Sequence, residues 1–126
     1  MIAKHVLPLL PRDRRAVFAV LSARVGSIGD NRLGGWHSYR ASKAALNMLL
    51  RNFAIEMART HPLAVIAGLH PGTVATGLSE PFQGNVPKGQ MLTPDRSAAH
   101  LLEVIGGLTP ADSGAVFDWR GERLPE

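Results

Sequence analysis

Cysteine is absent from these 126 residues, and tyrosine and lysine are scarce, at one and three. The first absence excludes disulfides and thiolate metal sites. The five histidines, His5, His37, His61, His70 and His100, are never paired four apart, so no metal site is expected. No apolar run reaches the ~18 residues of a membrane span, and the opening MIAKHVLPLL lacks a small-residue cleavage site. It reads as the tail of a helix, and a cytoplasmic protein with no membrane partner is expected. Basic residues exceed acidic ones, 14 to 10, but the arginines are scattered. Their one cluster, Arg12, Arg14 and Arg15, has no interleaved aromatics, so it reads as a solvated turn, with no nucleic-acid partner.

What is present is concentrated in SARVGSIGDNRLGGWHSYRASKAAL, residues 22–46. The lone tyrosine, Tyr39, has Lys43 four residues later, one helical turn on and on the same face. A lysine at that offset arises by chance about once in forty by composition. Its ammonium beside the phenol would favour the ionised form, as is required of a group that is to give or take a proton. An exposed tyrosine and lysine on a solvated helix is the alternative for an isolated pair; the flanking sequence favours the chemical reading.

Upstream, AVFAVL (Ala16–Leu21) is an apolar strand followed by Ser22 and a loop holding Gly26, Gly29, Gly34 and Gly35. These glycines lack the G-x-G-x-x-G spacing and read as loop punctuation. Downstream, a helical pattern runs from Ser38 or Tyr39 to about Arg59, and a second apolar strand, Leu63–Leu69, ends in His70-Pro71-Gly72. A long loop spans residues 71–93. Thr93-Pro94-Asp95 starts a helix to about Ile105, and a last strand covers Ala115–Asp118. Strands separated by helices predict a layered α/β unit with a parallel sheet and ligands beyond the carboxyl ends of its strands. One domain over 1–126 without an internal boundary is expected.

These residues resemble the short-chain dehydrogenase/reductase family, most closely its C-factor-like and carbonyl-reductase-like branch. The family's marks are Tyr-x-x-x-Lys, here Tyr39 and Lys43, a strand-terminal serine before it, and a later strand ending in Pro-Gly, here Pro71-Gly72. The resemblance runs from about residue 1 to 126. It implies a Rossmann-like doubly wound parallel sheet, of which this chain holds the C-terminal half, with the Gly-rich dinucleotide-binding half and the family's asparagine missing. It further implies hydride transfer between NAD or NADP and a small carbonyl or alcohol. Tyr39 would be the proton donor and acceptor, Lys43 would also hold the nicotinamide ribose, and Pro71, Gly72, Val74 and Thr76 would meet the nicotinamide.

The chain departs from the family at the serine. Where the family reads Ser-Ser-x-x-Gly, this sequence reads Ser22-Ala23-Arg24-Val25-Gly26, which puts Ala23 at the catalytic position. Ser22, expected on the opposite side of the pleat, and Ser27, on the loop, are the two candidates for the missing hydroxyl. The resemblance implies homo-oligomers through the 39–59 helix, whose apolar residues spread round more than one stripe. A remnant that binds a partner without catalysis is the alternative function. The loop from Ser79 to Met91 would cover substrate. The strand Ala16–Leu21 would pair with one upstream of Met1, so its outer edge is expected to be open and prone to association.

Overall fold

The computed structural model describes residues 1–74, 84 and 91–126. Strands β1 (Ala16–Leu21), β2 (Ala64–His70) and β3 (Val116–Asp118) form a three-stranded sheet in the order β1-β2-β3. Both pairings are parallel, with Leu21 opposite Leu69 and His70 opposite Asp118. Residues 21, 70 and 118 therefore lie along one edge, the carboxyl end of the sheet. Helices α1 (Ile2–Val6), α2 (His37–Ala58) and α3 (Pro94–Gly107) cover it.

Strand alternation decides which helix each side chain meets. Val17, Ala19, Val65, Ala67 and Leu69 pack with Leu101, Val104 and Ile105 of α3. The intervening Phe18, Val20 and Ile66 pack with α1 and α2 through Ala3, Leu46, Leu50, Phe53 and Ala54. The result is three layers. β2 is central and is buried from Ala64 to Leu69, which is why it reads as an unbroken apolar run. β1 lies at one edge and is only partly buried.

The elements stop where local chemistry says they should. Thr93 accepts from the Arg96 N–H at 3.3 Å, with Pro94 at the first position and Asp95 in the first turn of α3. At the other end, Arg15 donates through Nε to the Leu108 carbonyl at 2.6 Å and through a guanidinium nitrogen to Ile105. A cation on exposed helix-end carbonyls is favourable. Arg15 is thus a helix cap, which corrects its reading as part of a solvated turn. The Leu7–Leu9 segment is a 3-10 turn, so the predicted helical tail is α1 followed by a tighter turn. Among the described residues no helix is long and apolar enough to cross a membrane.

Candidate active site

α2 starts at the carboxyl edge of the sheet. Its N-cap, Trp36, is left-handed at φ 49°, ψ 42°, after Gly34 and Gly35 at φ 66° and 72°. Two glycines and a left-handed tryptophan turn the chain sharply into the helix, which starts at His37, just ahead of the expected Ser38 or Tyr39. Arg40 secures the turn: it donates to the carbonyls of Gly35 (3.0 Å), Gly34 (3.2 Å) and Val25 (3.4 Å) and lies 5.8 Å from the Trp36 ring centroid.

Tyr39 is 40% exposed in the first turn of α2. The Lys43 ammonium is 5.9 Å from the Tyr39 ring centroid and donates to the Leu21 carbonyl at 3.4 Å. Its place is set by Gly26. A Cβ there would lie 2.8 Å from the Lys43 backbone carbon and Cβ. Gly26 thus lets the loop close onto α2 at the lysine, a packing role beyond loop punctuation.

Ser22 continues the β1 ladder, its N–H donating to the Leu69 carbonyl at 2.8 Å. Its side chain is 4% exposed and donates to Asn47 Oδ1 at 2.5 Å. Asn47 follows Lys43 by four residues, so Tyr39, Lys43 and Asn47 form one line down α2. Ala23 is buried and extended at φ −154°, ψ 147°. Ser27, also 4% exposed, donates to the Pro125 carbonyl and accepts from the Asp30 N–H at 3.1 Å. Its hydroxyl is committed to anchoring the chain's last residues.

Pro71, Gly72 and Val74 follow β2 and are partly buried; Thr76 lies outside the described residues. Gly72 has φ 75°, and a Cβ on it would sit 3.0 Å from the Trp119 ring. The backbone torsion and the neighbouring indole both favour glycine. Thr73 accepts from Leu92 N–H at 2.9 Å, joining this segment to the approach to α3. Cavities of about 480 Å³, by α3 and Trp119, and 160 Å³, by Asn47 and Pro125, are not lined by Tyr39.

A charged cluster lies at the carboxyl edge of the sheet. Asp118, 1% exposed, accepts on Oδ1 from the N–H groups of Arg120 (2.9 Å) and Glu122 (3.0 Å). Its Oδ2 accepts from Arg120 at 3.0 and 3.2 Å and from Arg24 at 3.4 Å. Burial alone would raise its pKa; the hydrogen bonds from Glu122 and Arg120 outweigh that and hold it below the usual carboxylate value. Opposite it, burial pushes the His70 imidazole from 6.5 down to about 4, reinforced by the charge of Arg24 and opposed by Asp118 and Asp30. Among the described residues, buried His70 Nδ1 has no hydrogen-bond partner.

The His70 shift predicts an acid sensitivity. Above 6.5 the imidazole is neutral in both folded and unfolded chains. Between 6.5 and about 4 only the unfolded chain takes up a proton, so this contribution to stability is lost as pH falls through that window. Urea midpoints between about pH 7 and pH 4.5 should fall less steeply for His70→Gln than for the parent. Parallel curves would show that His70 is not responsible.

No family model matches the chain. It is 42% identical over 109 residues to 1-hydroxy-2-glutathionyl-2-methyl-3-butene dehydrogenase of Rhodococcus sp. (strain AD45), covering 86% of this chain and 45% of that protein. It is 36% identical over 124 residues to C-signal of Myxococcus xanthus, covering 98% of this chain and 69% of that protein. Among solved structures, the NADPH-bound carbonyl reductase from chicken fatty liver matches with a TM-score of 0.74 and 34% identity, over 88% of this chain and 43% of that one. The chain belongs to the short-chain dehydrogenase/reductase family, and its sheet and covering helices are the α/β fold of that family's members. It spans about half the length of several of the relatives it matches.

Proposed function

We propose that this chain carries the proton-transfer site of an NAD(P)-dependent oxidoreductase acting on a carbonyl or alcohol. The observation that carries the reading is the Lys43 ammonium at the carboxyl edge of a parallel sheet, 3.4 Å from the Leu21 carbonyl and 5.9 Å from the centroid of a partly exposed Tyr39 ring. A nicotinamide dinucleotide would supply or take the hydride. The residues present suit such a group. Tyr39 and Lys43 offer a hydroxyl and an ammonium for ribose hydroxyls, and Pro71, Gly72 and Val74 offer a glycine-bent backbone for the carboxamide; Thr76 belongs to the same proposal.

In reduction, the carbonyl carbon gains the hydride and its oxygen takes the proton of the Tyr39 hydroxyl, giving an alcohol. In oxidation, the Tyr39 oxygen takes that proton back. Lys43 stabilises the negative charge left on the phenolate oxygen. Ala23 offers no hydroxyl, Ser22 is engaged with Asn47, and Ser27 with Pro125. Polarisation of the substrate oxygen therefore falls to Tyr39 and ordered water.

The test is a fusion of this chain to the part of the Rhodococcus relative that it does not span, assayed with NADPH and a set of aldehydes and ketones. NADPH oxidation that depends on the carbonyl is expected. A folded fusion that binds NADPH and oxidises none of it would sink the reading.

A second reading, self-association through α2, is favoured by its outer face. Ala41, Ala45, Met48, Asn52 and Ile55 follow a 3-4 spacing without a charge, and Met48 and Ile55 are 62% and 53% exposed. Sedimentation should show a monomer–dimer shift with concentration that Met48→Glu removes. A monomer at every concentration would dismiss it.

A further inference from the structure

Asp118 closes β3, the last strand, yet its carboxylate reaches the loop that follows β1. Arg24 makes the link. Its guanidinium spans two carboxylates, Asp30 Oδ1 at 3.3 Å within its own loop and Asp118 Oδ2 at 3.4 Å across the sheet edge. A buried carboxylate is unfavourable unless paired, but Asp118 is already satisfied by Arg120 and by two N–H groups of its own turn. The Arg24 contact is therefore not needed to hold Asp118; its effect falls on the loop.

We propose that Asp118 is a positioning residue for the candidate active site, acting through Arg24 to hold the segment from Ala23 to Asp30 against the carboxyl ends of β2 and β3. The next link is steric. Arg24 opens the 3-10 turn Arg24–Gly26, and Gly26 is the residue whose backbone closes onto Lys43. Asp118, Arg24, Gly26 and Lys43 thus form a continuous line of contact from the last strand to the lysine beside Tyr39. The other anchor of this loop is separate: Ser27 to the Pro125 carbonyl and Gly29 N–H to the Glu126 oxygen at 2.6 Å. Calling the loop part of an active site rests on the proposed function; the tie itself does not.

Amide hydrogen exchange followed by NMR on the full chain tests it, without reference to turnover. Asp118→Asn keeps an acceptor for the Arg120 and Glu122 N–H groups while removing the charge that Arg24 meets. Arg24→Gln removes the bridge from the other side. Both should speed exchange at Gly26, Ser27 and Asp30 by about tenfold or more, with β2 amides such as Gly68 unchanged. Arg24→Lys should recover part of the protection. Wild-type loop rates in Arg24→Gln would overturn the proposal. So would equal acceleration of loop and β2 amides, which would make the cluster a support of the whole fold. Should Asp118→Asn fail to fold, Arg24→Gln decides alone.

Discussion

Tyr39→Phe, in the fusion that supplies the rest of the enzyme, lowers carbonyl reduction by about a hundredfold or more while leaving NADPH affinity within a few-fold. Phenylalanine keeps the ring, its place in the first turn of α2 and its proximity to Lys43, and removes only the hydroxyl. Loss of turnover with retained binding therefore isolates proton transfer. Lys43→Met differs in kind. It removes the cation 5.9 Å from the ring and the donor to Leu21, so both kcat and the KM for NADPH should suffer. Ala23 sharpens the expectation, because with no hydroxyl there little remains to protonate the substrate once Tyr39 is gone. Near-parent kcat in Tyr39→Phe would end the catalytic reading.

Leu50→Ala should destabilise the fold by about 2–5 kcal/mol, a large part of the roughly 5–15 kcal/mol typical of a domain. Leu50 is 0% exposed and joins Ala3, Leu7, Ala54 and Ile66 between α1, α2 and the sheet. Gly68 marks how tightly it fits, since a Cβ there would lie 3.0 Å from both Leu50 Cδ1 and Val116 Cγ2. A cavity left by alanine has central β2 on one side and a long helix on the other, neither free to collapse into it. A drop in urea midpoint at unchanged slope is the expected signature. A change below about 0.5 kcal/mol would show that α2 is held to the sheet by other contacts.

Sequence patterns that repeat locally proved legible. AVFAVL is β1 with the bounds its apolar run suggested, and β2 lies one residue later than expected because the ladder continues to His70 opposite Asp118. The Tyr39–Lys43 proximity follows from helical spacing, and the same spacing extended once more reaches Asn47, a partner of Ser22 that could have been read from the line of three. Other features carry no local signal. Arg24 and Asp118 are 94 residues apart, because their hydrogen bond joins the loop after β1 to the end of β3, strands that flank β2 in one sheet but are far apart in the chain. Ser27 meets Pro125 for the same reason. Arg15 reads as one of a basic trio until α3 is seen to end above it. Gly26 reads as a turn until Lys43 is found against it. The substrate-covering loop expected over residues 79–91 lies almost wholly outside the described residues.

The most direct test of the account is a crystal structure of the fusion with NADPH bound. It should place the nicotinamide ribose within hydrogen-bond reach of the Tyr39 hydroxyl and the Lys43 ammonium, with the carboxamide on the backbone between Pro71 and Val74. A nicotinamide bound away from the carboxyl ends of β1 and β2, with Tyr39 and Lys43 facing solvent, would contradict it.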